Sequence, residues 1–169
     1  MFLERIRNEG KTRLLEVGAG TGQDSLFFQE AGLDVVAADL SSEMVARCRA
    51  KGIDAHVMDF LSLDFPAGSF DAVYALNCLL HVPNADLPVA LKAIRDLLAP
   101  GGLFFLGVYG GEAREGIADE DWHDPPRFFS SRTDAEIQRF AADHFEIVNF
   151  HVVEPESFHF QSLTLRRRD

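Results

Sequence analysis

The hydrophobic positions fall into short runs separated by polar stretches of helical length, and this alternation predicts strand after helix through most of the chain. Leu14-Leu15-Glu16-Val17 reads as a first strand, and Gln23 to Ala31 as a first helix stopped at Gly32. Val35 to Ala38 is a second strand ending in Asp39. Ser41 to Lys51 is a second helix, with Met44, Val45 and Cys48 on one face and Gly52 as its stop. Ala55 to Met58 predicts a third strand closed by Asp59-Phe60, and Phe70 to Leu76 a fourth. From about Ala85 to Leu98 the residues Leu87, Leu91, Ile94 and Leu98 recur at helical spacing, and Pro100-Gly101-Gly102 ends the helix in a turn. Leu103 to Val108 is an unbroken apolar run, as in a parallel strand buried on both faces. Thr133 with Glu136 forms a capping box that opens a helix to Asp143. Phe145 to Val153 and Phe158 to Leu165 are β-rich and read as a hairpin across Glu154-Pro155-Glu156-Ser157.

Two stretches do not follow the alternation. Phe2 to Lys11 is short and charged, and reads as one helical turn or a loose arm. Gly110 to Ser131 has little periodicity, yet it carries Trp122, Phe128 and Phe129. A connection of that length inside a compact domain is usually functional or disordered, and its aromatic content favours an ordered lid. With 169 residues the chain is expected to form one domain, 1–169, with residues 1–11 as the arm and 110–131 as the lid.

Candidate chemistry concentrates where the first strand meets the first helix. Gly18, Gly20 and Gly22 stand at alternate positions between Val17 and Gln23. Glycines there let a ligand approach bare backbone and permit dihedrals that a side chain forbids. A turn from a buried strand into a helix also presents free N–H groups and the helix dipole, which marks a nucleotide-type site opening a Rossmann-like unit. A dinucleotide fingerprint spaces its glycines Gly-x-Gly-x-x-Gly. Here the third glycine comes one residue earlier, and Glu16 precedes the first. Asp39, 21 residues after Gly18 at the end of the second strand, is placed to accept hydrogen bonds from both ribose hydroxyls of an adenosine; capping of the next helix is left to Ser41.

The heptad Glu16-x-Gly18-x-Gly20-x-Gly22 resembles motif I of the class I S-adenosylmethionine-dependent methyltransferases. Asp39, Asp59-Phe60, the phrase Phe70-Asp71-x-Val73 and Leu98-Ala99-Pro100-Gly101-Gly102-Leu103-Phe104 follow in that family's order. The resemblance covers Arg13 to about Leu165. It implies an α/β, Rossmann-like doubly wound seven-stranded sheet of order 3-2-1-4-5-7-6, with strand seven antiparallel. It also implies that Glu16, Gly18, Ala19, Gly20 and Gln23 line the methionine end of S-adenosyl-L-methionine, the product being S-adenosyl-L-homocysteine. Asp39 and Leu40 would hold ribose and adenine, Asp59 and Phe60 the adenine rim, and the backbone carbonyl of Asn77 the cofactor's amino group. His81, shortly after the fourth strand, is the candidate general base; packing or capping of the next helix and substrate binding without proton transfer are its alternatives. Tyr109 ends the fifth strand at the same edge and is a candidate to line the acceptor pocket, with Trp122, His123 and Arg127 closing over it from the lid. The expected activity is methyl transfer to a small molecule at O, N or C. A non-catalytic cofactor-binding or partner-activating subunit is the alternative. A nicotinamide oxidoreductase is disfavoured by the glycine spacing and by the lack of a Tyr-x-x-x-Lys constellation. Most small-molecule members carry several helices before the glycine turn, whereas 13 residues precede Leu14 here. The acceptor site is therefore expected to be open, covered by the 110–131 segment, or covered by a partner subunit.

Composition narrows the partners. The formal net charge of −11 disfavours nucleic acid, whose binding relies on Lys and Arg neutralising phosphates. Arg166-Arg167-Arg168 is the one basic cluster and reads as a solvated strand end. Fifteen phenylalanines against two tyrosines point to a Phe-rich core, with an apolar substrate pocket as the other reading. Cys48 and Cys78 have no paired spacing, so neither a disulfide nor a zinc site is expected. The charged N-terminal residues and the lack of a run near ~20 apolar residues argue against a signal peptide or a membrane span, and a cytoplasmic protein is expected. His56, His144, His151 and His159 lack ligand spacing and receive no role, no metal is expected, and monomer and homodimer stay open.

Overall fold

The computed structural model describes residues 2–117, 121, 123–154 and 158–168. Helices and strands alternate as the periodicity requires. They run α1 (Phe2–Asn8), β1 (Arg13–Val17), α2 (Gln23–Glu30), β2 (Asp34–Asp39), α3 (Ser42–Ala50), β3 (Asp54–Val57) and β4 (Phe70–Leu76). A 3₁₀ turn (Leu79–His81) leads to α4 (Leu87–Leu97), β5 (Leu98–Tyr109), β6 (Arg114–Ile117), β7 (Phe128–Ser131), α5 (Asp134–Ala142), β8 (Phe145–Val153) and β9 (Phe160–Arg167).

Seven strands form one sheet in the order β3-β2-β1-β4-β5-β9-β8. β1 pairs in parallel with β2 and β4, and β5 pairs in parallel with β4. β9 runs antiparallel to both β5 and β8. This is the expected 3-2-1-4-5-7-6 sheet, with β9 in the antiparallel place; two numbers are taken by the separate ribbon β6–β7. Alternate residues of the central strands feed opposite layers, as the period of two demands. Leu14 packs with Phe2, Ile6 and Phe28 of α1 and α2, while Leu15 and Val17 join Leu91 and Ile94 of α4 and Ile137 of α5. Helix α3 covers the sheet edge through Val45 and Cys48 against Ala37 and Ala55.

Three details depart from the sequence reading. The N-terminal segment is helical, as one of its two readings held, but it is a packed helix of two turns rather than one, because Phe2 and Ile6 lie four residues apart and are buried together. Pro100-Gly101-Gly102 does not separate helix from strand. β5 begins at Leu98 directly after α4, and between the pairs Phe70↔Leu98 and Ala72↔Leu103 the strand β4 advances two residues while β5 advances five. The glycines fit this bulge: Gly101 has φ +68°, and a Cβ on Gly102 would lie 2.8 Å from the Ala99 carbonyl. The arginine run is not simply solvated either. Arg166 grips Glu9 with two bonds of 2.8 and 2.9 Å, tying β9 to the end of α1, and Arg167 donates to the Leu98 carbonyl.

The Gly110–Ser131 segment contains β6 and β7 paired antiparallel, from Arg114↔Ser131 to Ile117↔Phe128. Thr133 and Glu136 form both halves of the capping box. Both cysteines are buried free thiols. Among the described residues, no helix is long and apolar enough to cross a membrane.

Candidate functional site

The carboxyl ends of β1, β2 and β4 meet at the glycine turn. Gly18, Gly20 and Gly22 all have positive φ, from 53° to 75°, so the turn needs glycine on conformational grounds. Their surroundings differ. A Cβ on Gly18 would lie 2.3 Å from Cys78 Cβ, and one on Gly22 would lie 2.7 Å from Ile53. Gly20 has open space within 4 Å of that position, so its bare backbone faces outward. Cys78 closes the floor of the turn by donating from Sγ to the Val17 carbonyl at 3.1 Å. Helix α2 then starts at Gly22 without a side-chain cap, with Gln23 exposed at its first turn and the buried Ala19 just before it.

Asp39 is fixed from two sides. Its Oδ2 accepts from the Gly20 N–H at 2.8 Å and its Oδ1 from the Ser41 N–H at 2.8 Å. Ser41 caps α3 through its own hydroxyl, so Asp39 is left to tie β2 to the glycine turn. Two carboxylate oxygens offer about four lone-pair sites, leaving acceptor capacity for a pair of hydroxyls. Leu40, next to it, is 64% exposed, and Leu61 on the adjoining loop is 41% exposed. Asp59 is exposed and braces that loop by accepting from the Leu61 N–H at 2.8 Å. Phe60 turns inward, its ring tip 3.6 Å from the Cβ position of Gly18.

Glu16 is 4% exposed and accepts a hydrogen bond from the Ser25 hydroxyl of α2. Burial pushes its carboxyl up to about 7; the Ser25 bond opposes this, and the charges of Asp24 and Asp39 add to it. Asn77, at the end of β4, has φ +51°, which asparagine tolerates better than most residues. Its N–H donates to the Gly107 carbonyl at 2.7 Å, and its buried Oδ1 has no hydrogen-bond partner among the described residues. An orphaned acceptor, an outward-facing glycine, an anchored carboxylate and two exposed leucines on one edge fit a ligand with donors, hydroxyls and a flat apolar ring.

His81 lies beyond Asn77 in the 3₁₀ turn. Its Nδ1 is 2.8 Å from the Phe128 carbonyl on β7, and its ring meets Phe129 edge-on with centroids 4.7 Å apart. A carbonyl can only accept, so Nδ1 carries the proton in the neutral ring and Nε2 keeps its lone pair. The ring thus packs against β7 rather than against the next helix. Tyr109 is 45% exposed and sets its ring edge-on to Phe158 and Phe160. Together with Leu80, Gly110, Phe129, Ser130 and Ser131, it lines a hollow of about 210 Å³.

The ribbon over this hollow is held by residues that the sequence did not single out. Arg132, 2% exposed, donates to Asn84 Oδ1 and to the Val82 carbonyl, both at 2.6 Å. Glu115 on β6 accepts from the Asn84 N–H at 2.6 Å and from the Ser130 hydroxyl at 2.8 Å. Desolvation lowers the Arg132 guanidinium to about 10, with Glu115 and Glu136 opposing. Farther along, Asp121 accepts from the Arg127 N–H at 2.6 Å, from its guanidinium at 2.9 Å, and from His123 Nδ1 at 3.0 Å. His123 and Arg127 therefore share one carboxylate, and Arg127 also lies 5.2 Å over the Phe129 ring. Trp122 lies outside the described residues. No local pattern singles out Arg132 in the sequence, because its partners Asn84 and Val82 lie 48 and 50 positions away.

Comparison with known proteins fits this edge. Residues 14–102 match the family described as a methyltransferase domain. The chain is 32% identical over 114 residues to glycine/sarcosine N-methyltransferase of Halorhodospira halochloris, covering 62% of this chain and 42% of that protein. It is 37% identical over 103 residues to ubiquinone biosynthesis O-methyltransferase of Xanthomonas campestris, covering 56% of this chain and 41% of the relative. The chain thus matches less than half the length of these curated relatives. Among solved structures, the 1,6-didemethyltoxoflavin-N1-methyltransferase of Burkholderia thailandensis, with bound 1,6-didemethyltoxoflavin and S-adenosylhomocysteine, superposes with a TM-score of 0.79 at 26% identity. That match covers 97% of this chain and 75% of the other. The glycine turn, the sheet order and these matches agree: the chain belongs to the S-adenosylmethionine-dependent class I methyltransferase family.

Proposed function

We propose that this protein transfers the methyl group of S-adenosylmethionine to a small-molecule acceptor held between His81 and Tyr109. The reading rests on one observation above the others: Asp39, tied at 2.8 Å to the outward-facing Gly20, ends β2 at the carboxyl edge of the sheet, the edge where His81 follows β4 with its Nδ1 bonded to the Phe128 carbonyl. When bound, the cofactor supplies an activated methyl carbon on a sulfonium, so the chain contributes holding and orientation rather than covalent chemistry. Asp39 would accept from the ribose hydroxyls, Leu40, Asp59 and Phe60 would border the adenine, and Glu16, Gly18, Ala19, Gly20 and Gln23 would surround the amino-acid end. The Asn77 carbonyl, swung out by the left-handed turn, would receive the amino group. Holding an acceptor atom in line with the methyl carbon can lower a barrier by ~7–11 kcal/mol without further help. Where the nucleophile is a hydroxyl, Nε2 of His81 would take its proton, with Nδ1 anchored to the Phe128 carbonyl.

Small acceptors are supported by the relatives, whose names give glycine or sarcosine, a ubiquinone-pathway step and 1,6-didemethyltoxoflavin. The net charge of −11 speaks against a polyanionic acceptor. Tyr109 would border the acceptor directly, and His123 and Arg127 would act on it from the carboxylate of Asp121 that they share. The test is calorimetric titration with S-adenosylhomocysteine, with NAD as control, on the wild type and on Asp39→Ala. Binding that the substitution weakens by about tenfold or more, with no heat from NAD, is the expected result. Binding of NAD alone would overturn the reading.

A further inference from the structure

A hollow of about 470 Å³ lies away from the glycine turn, on the sheet face that carries α1. Its walls are largely rings: Phe2 of α1, Phe27 of α2, Tyr74 of β4, Phe105 of β5 and Phe160 of β9. Tyr74 and Phe105 stack with centroids 4.8 Å apart and planes 12° from parallel, and Phe2 stands 5.5 Å from Phe105. Phe27 is 54% exposed at the rim. Asn149, His151, Ser162 and Thr164 on β8 and β9 add polar side chains beside Val153, and Arg5 on α1 adds a guanidinium. No described residue lining it is acidic, in a chain with 27 Asp and Glu. Arg5 approaches Glu9 at 3.7 Å, beyond hydrogen-bond reach, so its donors are not used up by that pair.

This groove adjoins the proposed acceptor edge. On β5, Gly107 separates Phe105 from Tyr109 on the same face, and a Cβ there would lie 2.7 Å from the Phe160 ring and 2.8 Å from Phe105. The missing side chain lets Phe160 lie across the strand. Phe160 then meets Tyr109 edge-on at 5.7 Å. Tyr109 lines the smaller hollow beside Leu80 and Phe129, so one ring contact stands between the two spaces.

We infer that the groove receives the body of the methyl acceptor, an elongated molecule of two or more flat rings with an anionic group such as a carboxylate. The rings lie against Tyr74, Phe105 and Phe160, the anionic group faces Arg5, and the reacting end passes Tyr109. The assignment of the reacting end rests on the methyl-transfer reading; the groove stands on its own geometry. The volume suits a ligand of this class, stacked rings favour a flat partner, and a guanidinium fork favours a carboxylate. Phe105 to Tyr109 is four residues, about 13 Å along a strand, which sets the length required.

The probe is biphenyl-4-carboxylate, titrated into the ¹⁵N-labelled full chain saturated with S-adenosylhomocysteine, with biphenyl-4-carboxamide as the neutral control. Saturable shifts are expected at α1, β8 and β9, with nuclear Overhauser effects from the distal ring to Tyr109. Arg5→Gln, a surface change, is expected to weaken the carboxylate about fivefold or more while leaving the carboxamide nearly unchanged. Ser162→Trp is expected to exclude both probes and leave S-adenosylhomocysteine binding intact. Several results would overturn the inference: shifts scattered elsewhere, no contact with Tyr109, or indifference to Arg5→Gln. A concentration-dependent dimer in sedimentation that shields β8 and β9 and excludes the probe would name a second copy as the occupant. If the probe occupies the groove but S-adenosylhomocysteine does not bind, the methyl-transfer reading falls and the acceptor assignment with it, leaving a bare ligand groove.

Discussion

Glu16 illustrates what a single side chain costs and does. At 4% exposure its carboxyl titrates near 7, against 4.5 for an unperturbed glutamate, chiefly because burial disfavours the charge. The folded state therefore holds this proton more tightly than the unfolded chain does. Below the unfolded value both states are protonated and the group costs nothing. As pH rises from the unfolded value to the folded one, the unfolded chain ionises while the buried carboxyl keeps its proton, and stability falls by about 3 kcal/mol in all before levelling off. Glu16→Gln is expected to remove this slope: urea midpoints of the variant change less between about pH 5 and pH 8 than those of the wild type. Equal slopes would show that Glu16 is not the group responsible. The sequence revealed the acidic residue before the turn, but not its state. Ser25 reads as a helix position like its neighbours, and only the turn of α2 back over β1 brings its hydroxyl to Glu16.

Among the elements, the β6–β7 ribbon depends on one buried cation. Arg132 joins the ribbon to the loop before α4 through Asn84 and the Val82 carbonyl, and Phe128 of the same ribbon holds His81. Arg132→Met keeps most of the bulk but leaves those acceptors without a donor, at about 1–3 kcal/mol for each buried group. The expected outcome is local. Amides of Arg114–Ile117 and Phe128–Ser131 exchange hydrogen faster by about tenfold or more, while those of β1 and β4 do not change, as followed by mass spectrometry. Faster exchange everywhere would assign Arg132 a global role instead. The strands and helices of the main sheet were legible because their own periodicity carries them. Arg114-Glu115-Gly116-Ile117 has a single apolar side chain, and its partner lies more than ten residues on, so no local pattern reports the pairing. The extent and packing of helix α1 escaped for a related reason: its two buried side chains, Phe2 and Ile6, gain their meaning only from Leu14, Phe28 and Leu103.

Taken as a molecule, the protein displays its proposed cofactor edge in the sequence and conceals the side proposed for the acceptor. The edge comes from residues near strand ends, in fixed order, so a linear motif can record it. The groove draws on positions from Phe2 to Thr164 that share a face only after the sheet has formed. The same sheet constrains how the chain is made. β9 lies inside it, between β5 and β8, and Tyr109 pairs with Phe160, 51 positions later. Leu163 and Leu165 are fully buried in the main core, and β8 reaches the sheet through β9. A chain emerging from the ribosome therefore exposes the open flank of β5 until residue 167 has cleared the exit tunnel. Nascent chains arrested before Phe160 are expected to remain protease-sensitive along their whole length, and those carrying an appended linker of about 30 residues or more after Arg167 to turn resistant in one step. Gradual protection would instead mean that β1 to β5 close early. On this topology the flank of β5 and the whole of β8 wait for β9, and any factor that guards the growing chain must do so until that strand arrives.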